Sequence, residues 1–174
     1  MDVFDAIRTI LAVKQYQDKP VPPEVIGRVV EAGRLTASSI NLQPWHFVVV
    51  TDPDLLKRIG GMARTGPYIA QAAFAVVVLV DMSNQFAVSD GSRAVQSMVL
   101  TAWEDGVASS WTGFLNQNDV RPLLGIPDSL DVLAIVPFGY PVKAIGKGKK
   151  KRKPLSEVAS LNKFGAPFTL PGGK

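Results

Sequence analysis

The stretch Thr36-Ala37-Ser38-Ser39-Ile40-Asn41-Leu42-Gln43-Pro44-Trp45-His46-Phe47 crowds hydroxyl and amide side chains into one short loop. Such a loop offers donors and acceptors to a polyol or a phosphate chain. The same residues would also suit a helix C-terminal turn knit by local side-chain bonds, which Ser and Asn often supply. A second chemical feature lies near the other end, Lys149-Lys150-Lys151-Arg152-Lys153-Pro154-Leu155. It reads as a solvated charge run, as a contact for nucleic acid or a membrane surface, or as a source of cations for a bound phosphate. No aromatic residue interleaves with the lysines, so a base-stacking platform is not suggested.

Other chemistries find little support. His46 is the only histidine and there is no cysteine, which excludes disulfides, thiolate metal sites and a cysteine nucleophile, and leaves a catalytic zinc site short of ligands. No G-x-S-x-G elbow exists to pair with His46, which sits beside Trp45 at the start of a strand and reads as packed or surface-facing. A G-x-x-x-x-G-K-[ST] phosphate loop and a G-x-G-x-x-G turn are also missing. No spacing singles out a carboxylate pair.

The elements that must position these groups follow from periodicity. Val3, Phe4, Ile7, Ile10 and Leu11 recur at helical spacing behind Asp2 as a cap. Pro22-Pro23 opens a second helix with Val25, Ile26, Val29 and Val30 as its buried stripe, ending near Gly33. Phe47 to Val50 reads as a buried strand, Asp52-Pro53 caps a third helix, and Ala72 to Val80 reads as a central strand, apolar on both faces. Residues 82 to 91 read as a polar loop, and a long helix is expected from about Ser92 to Glu104, stopped by Gly106. Val107 to Trp111 reads as a strand, Asp119 to Leu124 as a short helix and Leu133 to Phe138 as another strand. Helices alternating with strands give α+β or α/β in three layers.

At 174 residues, 47% apolar and 20% charged, the composition is that of an ordinary globular domain, with no internal repeat or linker. The net charge of +4 is local: seven basic residues fall between Lys143 and Lys153, and the remainder holds 12 basic against 15 acidic residues. The acidic start Met1-Asp2-Val3-Phe4-Asp5 lacks a signal-peptide order and the longest apolar run is too short to span a bilayer, so a cytoplasmic location is expected.

The order of the motifs carries more. S-S-x-N-x-Q-P-W-x-F (38–47), a buried strand, a long helix, S-x-W-x-G (109–113), a strand ending G-Y-P (139–141) and a late R-K-P-L (152–155) together resemble the nitroreductase family over nearly the whole chain. That resemblance implies an α+β fold, a central, mostly antiparallel sheet flanked by helices in three layers. It also implies an intertwined homodimer with FMN at the subunit interface, the segment from about residue 140 serving as an arm. NAD(P)H would reduce the flavin and a nitroaromatic, quinone or similar small acceptor would reoxidise it, in a ping-pong cycle. Reductive dehalogenation or flavin breakdown on the same scaffold, and a non-catalytic flavin-binding or nucleic-acid-binding role, are the alternatives, since a fold does not fix a reaction.

Residue by residue, the resemblance places Ile10, Leu11, Ala12, Val13 and Lys14 in the phosphate and pyrimidine cradle, with Lys14 near flavin N1 and O2. Ser38, Ser39 and Asn41 would line the ring and ribityl chain, and Ser110, Trp111, Thr112 and Gly113 would face the ring near N5. Lys150 and Arg152 would bind the phosphate. Thr65 and Gly66 fall near the pyrimidine edge, and Phe86 with residues 82 to 91 reads either as a wall of the acceptor site or as a buried anchor of its loop. One departure stands out. Where the family has an arginine-rich R-x-S or R-R-x start to the cradle, this chain has Ile10-Leu11-Ala12, losing charge-assisted bonds. Backbone N–H groups, Arg8 and the late basic residues are the available replacements.

Overall fold

The computed structural model describes residues 1–113, 117–143 and 150–170. Lys149 and the other basic residue of segment 144–149 therefore lie outside the described residues, as does most of the first stretch of the expected arm.

Among the described residues four strands form one sheet in the order β1-β2-β4-β3: β1 (Trp45–Val50), β2 (Phe74–Val80), β3 (Ala108–Ser109) and β4 (Asp131–Gly139). Every neighbouring pair is antiparallel. The all-apolar sequence of β2 is explained by its central place, buried along its full length. Its side chains alternate between two cores. Phe74, Val76 and Val78 face α2 (Pro23–Arg34) and α4 (Ala87–Glu104), where they meet Val29, Val95 and Met98. Ala75, Val77 and Leu79 face the other way, against Leu56 and Ile59 of α3 (Pro53–Met62) and Val120, which precedes the short α5 (Arg121–Leu124). The result is helix, sheet, helix, the expected three-layer α+β arrangement.

Local chemistry sets the helix ends. Asp2 caps α1 (Val3–Thr9) by accepting the Asp5 N–H at 2.7 Å, and Asp52 caps α3 by accepting from Asp54 and Leu55. Gly106, at φ 73°, takes the left-handed turn that ends α4.

The apolar stripe of α1 faces outward: Val3 and Phe4 are each 72% exposed and Ile7 47%, while Ala6 and Thr9 are the buried residues. Three expectations are corrected. β1 is an edge strand with His46 and Val49 exposed, rather than a buried one. α4 begins at Ala87, so only residues 82–86 of the expected 82–91 loop are non-helical. The third strand is cut to Ala108–Ser109 because the chain leaves the sheet edge at Ser110, returning only at a Thr112–Ile135 bridge. Among the described residues of the tail one short helix forms, α6 (Leu155–Val158), with Leu155 and Val158 exposed.

Candidate functional site

α1 lies across α4 because Thr9 is buried there, its hydroxyl donating to the Asp5 carbonyl (2.6 Å) and accepting from Trp103 Nε1 (2.9 Å). The chain leaves α1 extended, and the Val13 N–H reaches the Ser109 carbonyl at 2.9 Å, laying residues 10–13 beside β3. Tyr16 fixes the far end of this segment. Its buried hydroxyl donates to the Val13 carbonyl (2.7 Å) and approaches the Pro137 carbonyl (3.3 Å). Burial, with Tyr68 nearby, raises the Tyr16 phenol far above its usual range, so it acts as a neutral donor. Gly139 is required here, since a Cβ would come within 2.9 Å of the Tyr16 ring.

α1 and the segment after it, together with β3, α4 and residues 150–152, border an open cavity of about 900 Å³. Phe4, Ile7, Leu11, Val95, Val99 and Trp111 give it apolar walls, and Arg8, Lys150 and Arg152 bring three cations to it. Lys150 Nζ donates to the Ile7 carbonyl at 2.6 Å, one of the carbonyls that the last turn of α1 leaves without a helical partner. Desolvation, and then the neighbouring Arg152 charge, hold the Lys150 ammonium below its usual range. Two cations brought together, one of them partly desolvated, are a place where an anion is stabilised.

Six of the twelve expected site residues line this cavity: Leu11, Ala12, Ser110, Trp111, Lys150 and Arg152. Lys14, Thr112 and Gly113 stand close by in the chain, the first two joined through Tyr68. The Tyr68 hydroxyl accepts from Thr112 (2.9 Å) and Ser110 (3.4 Å), and the Lys14 ammonium lies 5.3 Å from the centre of the Tyr68 ring. Gly113 accommodates the Trp111 indole, whose Nε1 would lie 2.5 Å from any Cβ there. Gly66 packs against Thr112, 2.4 Å from where a Cβ would stand, so Gly66 borders this turn.

Ser38, Ser39 and Asn41 do not line the cavity. They occupy a tight loop between α2 and β1 with three non-glycine residues at positive φ, Ile40 (44°), Asn41 (58°) and Gln43 (50°), each costing about 1–2 kcal/mol. Ser38 Oγ accepts the Gln43 N–H at 2.9 Å, closing the turn. Ile40 is 84% exposed and Leu42 50%.

A second hollow, about 580 Å³, shares Trp111 with the first and is walled by Met82, Val88 and Ser92. Phe86 is not on its lining; it precedes α4, with its N–H on Asn84 Oδ1 (2.9 Å). His46 lines neither hollow. Among the described residues no cluster of His, Cys, Asp or Glu could hold a metal, and no helix is long and apolar enough to cross a membrane.

The α4 residues Val95, Gln96 and Val99 enter the cavity lining without having been singled out, and Arg8, named from the sequence only as a replacement for a cradle arginine, lines it as well. The signal for Arg8 was its place one turn before the missing cradle arginines.

Comparison with known proteins agrees along the chain. The model of the Nitroreductase family matches residues 8–87 and 70–140. A protein of Methanothermobacter thermautotrophicus named "Putative NADH dehydrogenase/NAD(P)H nitroreductase" is 33% identical over 154 residues, covering 84% of this chain and 81% of its own. A nitroreductase family protein of Clostridium difficile 630 superposes with a TM-score of 0.83 at 25% identity, over 94% of this chain and 99% of that one. The structure of a "putative nitroreductase in complex with fmn" from Desulfovibrio desulfuricans gives 0.82 at 26% identity, over 94% and 98%.

Proposed function

This chain belongs to the nitroreductase family, and from that premise we propose that it is an FMN-dependent NAD(P)H oxidoreductase acting on a nitroaromatic, quinone or similar small acceptor. The observation that carries the reading is the 900 Å³ cavity with apolar walls and three cations, a match for a flat ring joined to a phosphate. The residues fit FMN in spite of Leu11 and Ala12, because Arg8, Lys150 and Arg152 bring to the same space the charge that a cradle arginine would have supplied. Bound FMN would supply the chemistry, accepting hydride from NAD(P)H and passing electrons to the acceptor in a ping-pong cycle.

The chain's own residues bind and orient. Lys150 and Arg152 hold the phosphate, with Arg8 beside them. Leu11, Ala12 and the Ser110-Trp111 turn contact the ring, and Thr112 and Gly113 keep that turn in place. Lys14, the cation at Tyr68, stabilises negative charge on the pyrimidine edge of a reduced ring.

Ser38, Ser39 and Asn41 complete the site from a second copy. Val3 and Phe4 of α1, Ile40 and Leu42 of the loop, and Leu155, Val158 and Phe164 of the tail are all exposed, more apolar surface than isolated surface residues account for. In the homodimer we propose, these faces meet, the tail lies on the neighbouring protomer, and the partner subunit's Ser38, Ser39 and Asn41 approach the cavity.

The test is the visible spectrum of the purified protein before and after FMN, then after NADPH. A bound-flavin band that bleaches with the nucleotide is the expected result. A colourless protein that takes up no FMN at micromolar concentrations overturns the reading.

A further inference from the structure

We infer that Asp90 is the positioning residue that holds the Ser38–Gln43 loop in its binding shape, an inference that rests on the reading of this loop as an FMN contact. Among the described residues Asp90 is the one charged side chain that is fully buried, at 0% exposure. It lies on the inward stripe of α4 with Ala87, Ala94 and Met98, positions otherwise given to small or apolar groups.

Its two oxygens are committed to the loop and to α4. Oδ2 accepts the Ser39 backbone N–H at 2.9 Å, and Oδ1 faces the Ser39 and Ser89 hydroxyls at 3.4 Å each and the Arg93 guanidinium. Burial pushes the carboxyl up, yet the Ser39 N–H, the Arg93 charge and the remaining bonds outweigh it and keep it ionised at neutral pH.

Stability alone gives no reason for this carboxylate, because a buried ion pair is commonly no better than apolar residues of the same volume. What an apolar residue cannot do is accept the Ser39 N–H, and that bond falls at the residue just before the chain turns to positive φ at Ile40. Two helical turns further along α4, Ser97 Oγ bonds Thr36 Oγ1 at 2.8 Å. The loop is thus tied to one helix at both its start and its strained bend, while its tip at Ile40 to Leu42 stays exposed. A ligand meeting the loop then finds the shape already made. Without the tie, the competent shape is one of several and the apparent Kd rises by the inverse of its population.

The experiment compares wild type, Asp90→Asn and Asp90→Ala by FMN titration, turnover at saturating FMN, and amide hydrogen exchange of residues 36–44. The expected result is tenfold or weaker FMN binding in both variants, greater for Asp90→Ala, with turnover of the loaded enzyme within twofold of wild type. Exchange should quicken in the loop and not in β2. An FMN Kd within twofold of wild type in folded Asp90→Asn overturns the proposal. So does a Ser39 amide in wild type that exchanges at the rate of an open loop, a result that needs no variant to fold. Wild-type protein that binds no FMN while its Ser39 amide is protected removes the flavin reading beneath the proposal, and the proposal with it.

Discussion

Lys150 binds the end of a helix through the Ile7 carbonyl while an arginine charge stands next to it. If a phosphate completes that set, Lys150→Ala should raise the FMN Kd by roughly 10- to 100-fold, the equivalent of a charged hydrogen bond worth about 1.5–3 kcal/mol. Fluorescence titration measures this directly, and an unchanged Kd would remove Lys150 from the site. The pH dependence has a definite sign. The cation needed for binding is present below the depressed amine pKa and lost as pH rises through it, so affinity should decline on the alkaline side before the ordinary lysine value of 10.5 is reached. In Lys150→Ala that limb should flatten. Lys14 acts on charge in the ring rather than on the phosphate, so Lys14→Ala should slow reduction by NAD(P)H in stopped-flow traces or weaken FMN. Unaltered kinetics and affinity together would discard its role. Much of this set was legible because residue types and order survive in sequence. Asp90 was not, because Ser83, Asn84, Ser89, Gly91 and Ser92 make its surroundings look like loop. The helix there packs through Ala87 and Gly91, where a Cβ would stand 2.5 Å from Leu133 Cδ2, and small residues leave no apolar periodicity to read.

At the scale of elements, α1 is the instructive case. Its helical spacing and Asp2 cap were readable, but an apolar stripe has the same period whether it faces its own core or a neighbouring molecule. Only the fold distinguishes them, by burying Ala6 and Thr9 and leaving Phe4 exposed. Phe4→Asp should therefore keep the helical signal of the monomer in circular dichroism and shift the sedimenting species toward half the mass. A dimer undisturbed by this charge would place α1 away from the interface. α3 offers a contrast in which local chemistry suffices. Its Asp52 cap satisfies two N–H groups, and Asp52→Ala should cost about 1 kcal/mol, read as a lower Tm with FMN affinity unchanged. The shortening of β3 was not readable, since Val107 to Trp111 keeps strand-forming residues even where the chain has left the sheet.

For the whole molecule, the alternation of helices and strands predicted three layers, and the apolar run of β2 predicted its central place. The order β1-β2-β4-β3 was out of reach, because periodicity shows which face of a strand is buried and not which strand lies beside it. Assembly was likewise visible only as a resemblance. The measurement that belongs to this scale is mass in solution: the chain of 18.7 kDa should sediment at twice that value at micromolar concentration, and a monomer there would leave Ser38, Ser39 and Asn41 without a cavity to complete.

The pairing of β2 with β4 has a consequence for how the chain is made. β2 is finished at Val80, while its partner begins only at Asp131. During synthesis from the N-terminus, seven consecutive apolar residues with one bare edge must wait for some fifty more to be joined. A segment of that kind, β-prone and uncharged, is a hazard for wrong pairing. A growing chain halted between the two strands would expose the most apolar element of the fold, and wrong pairing is the greatest hazard to it in that nascent form.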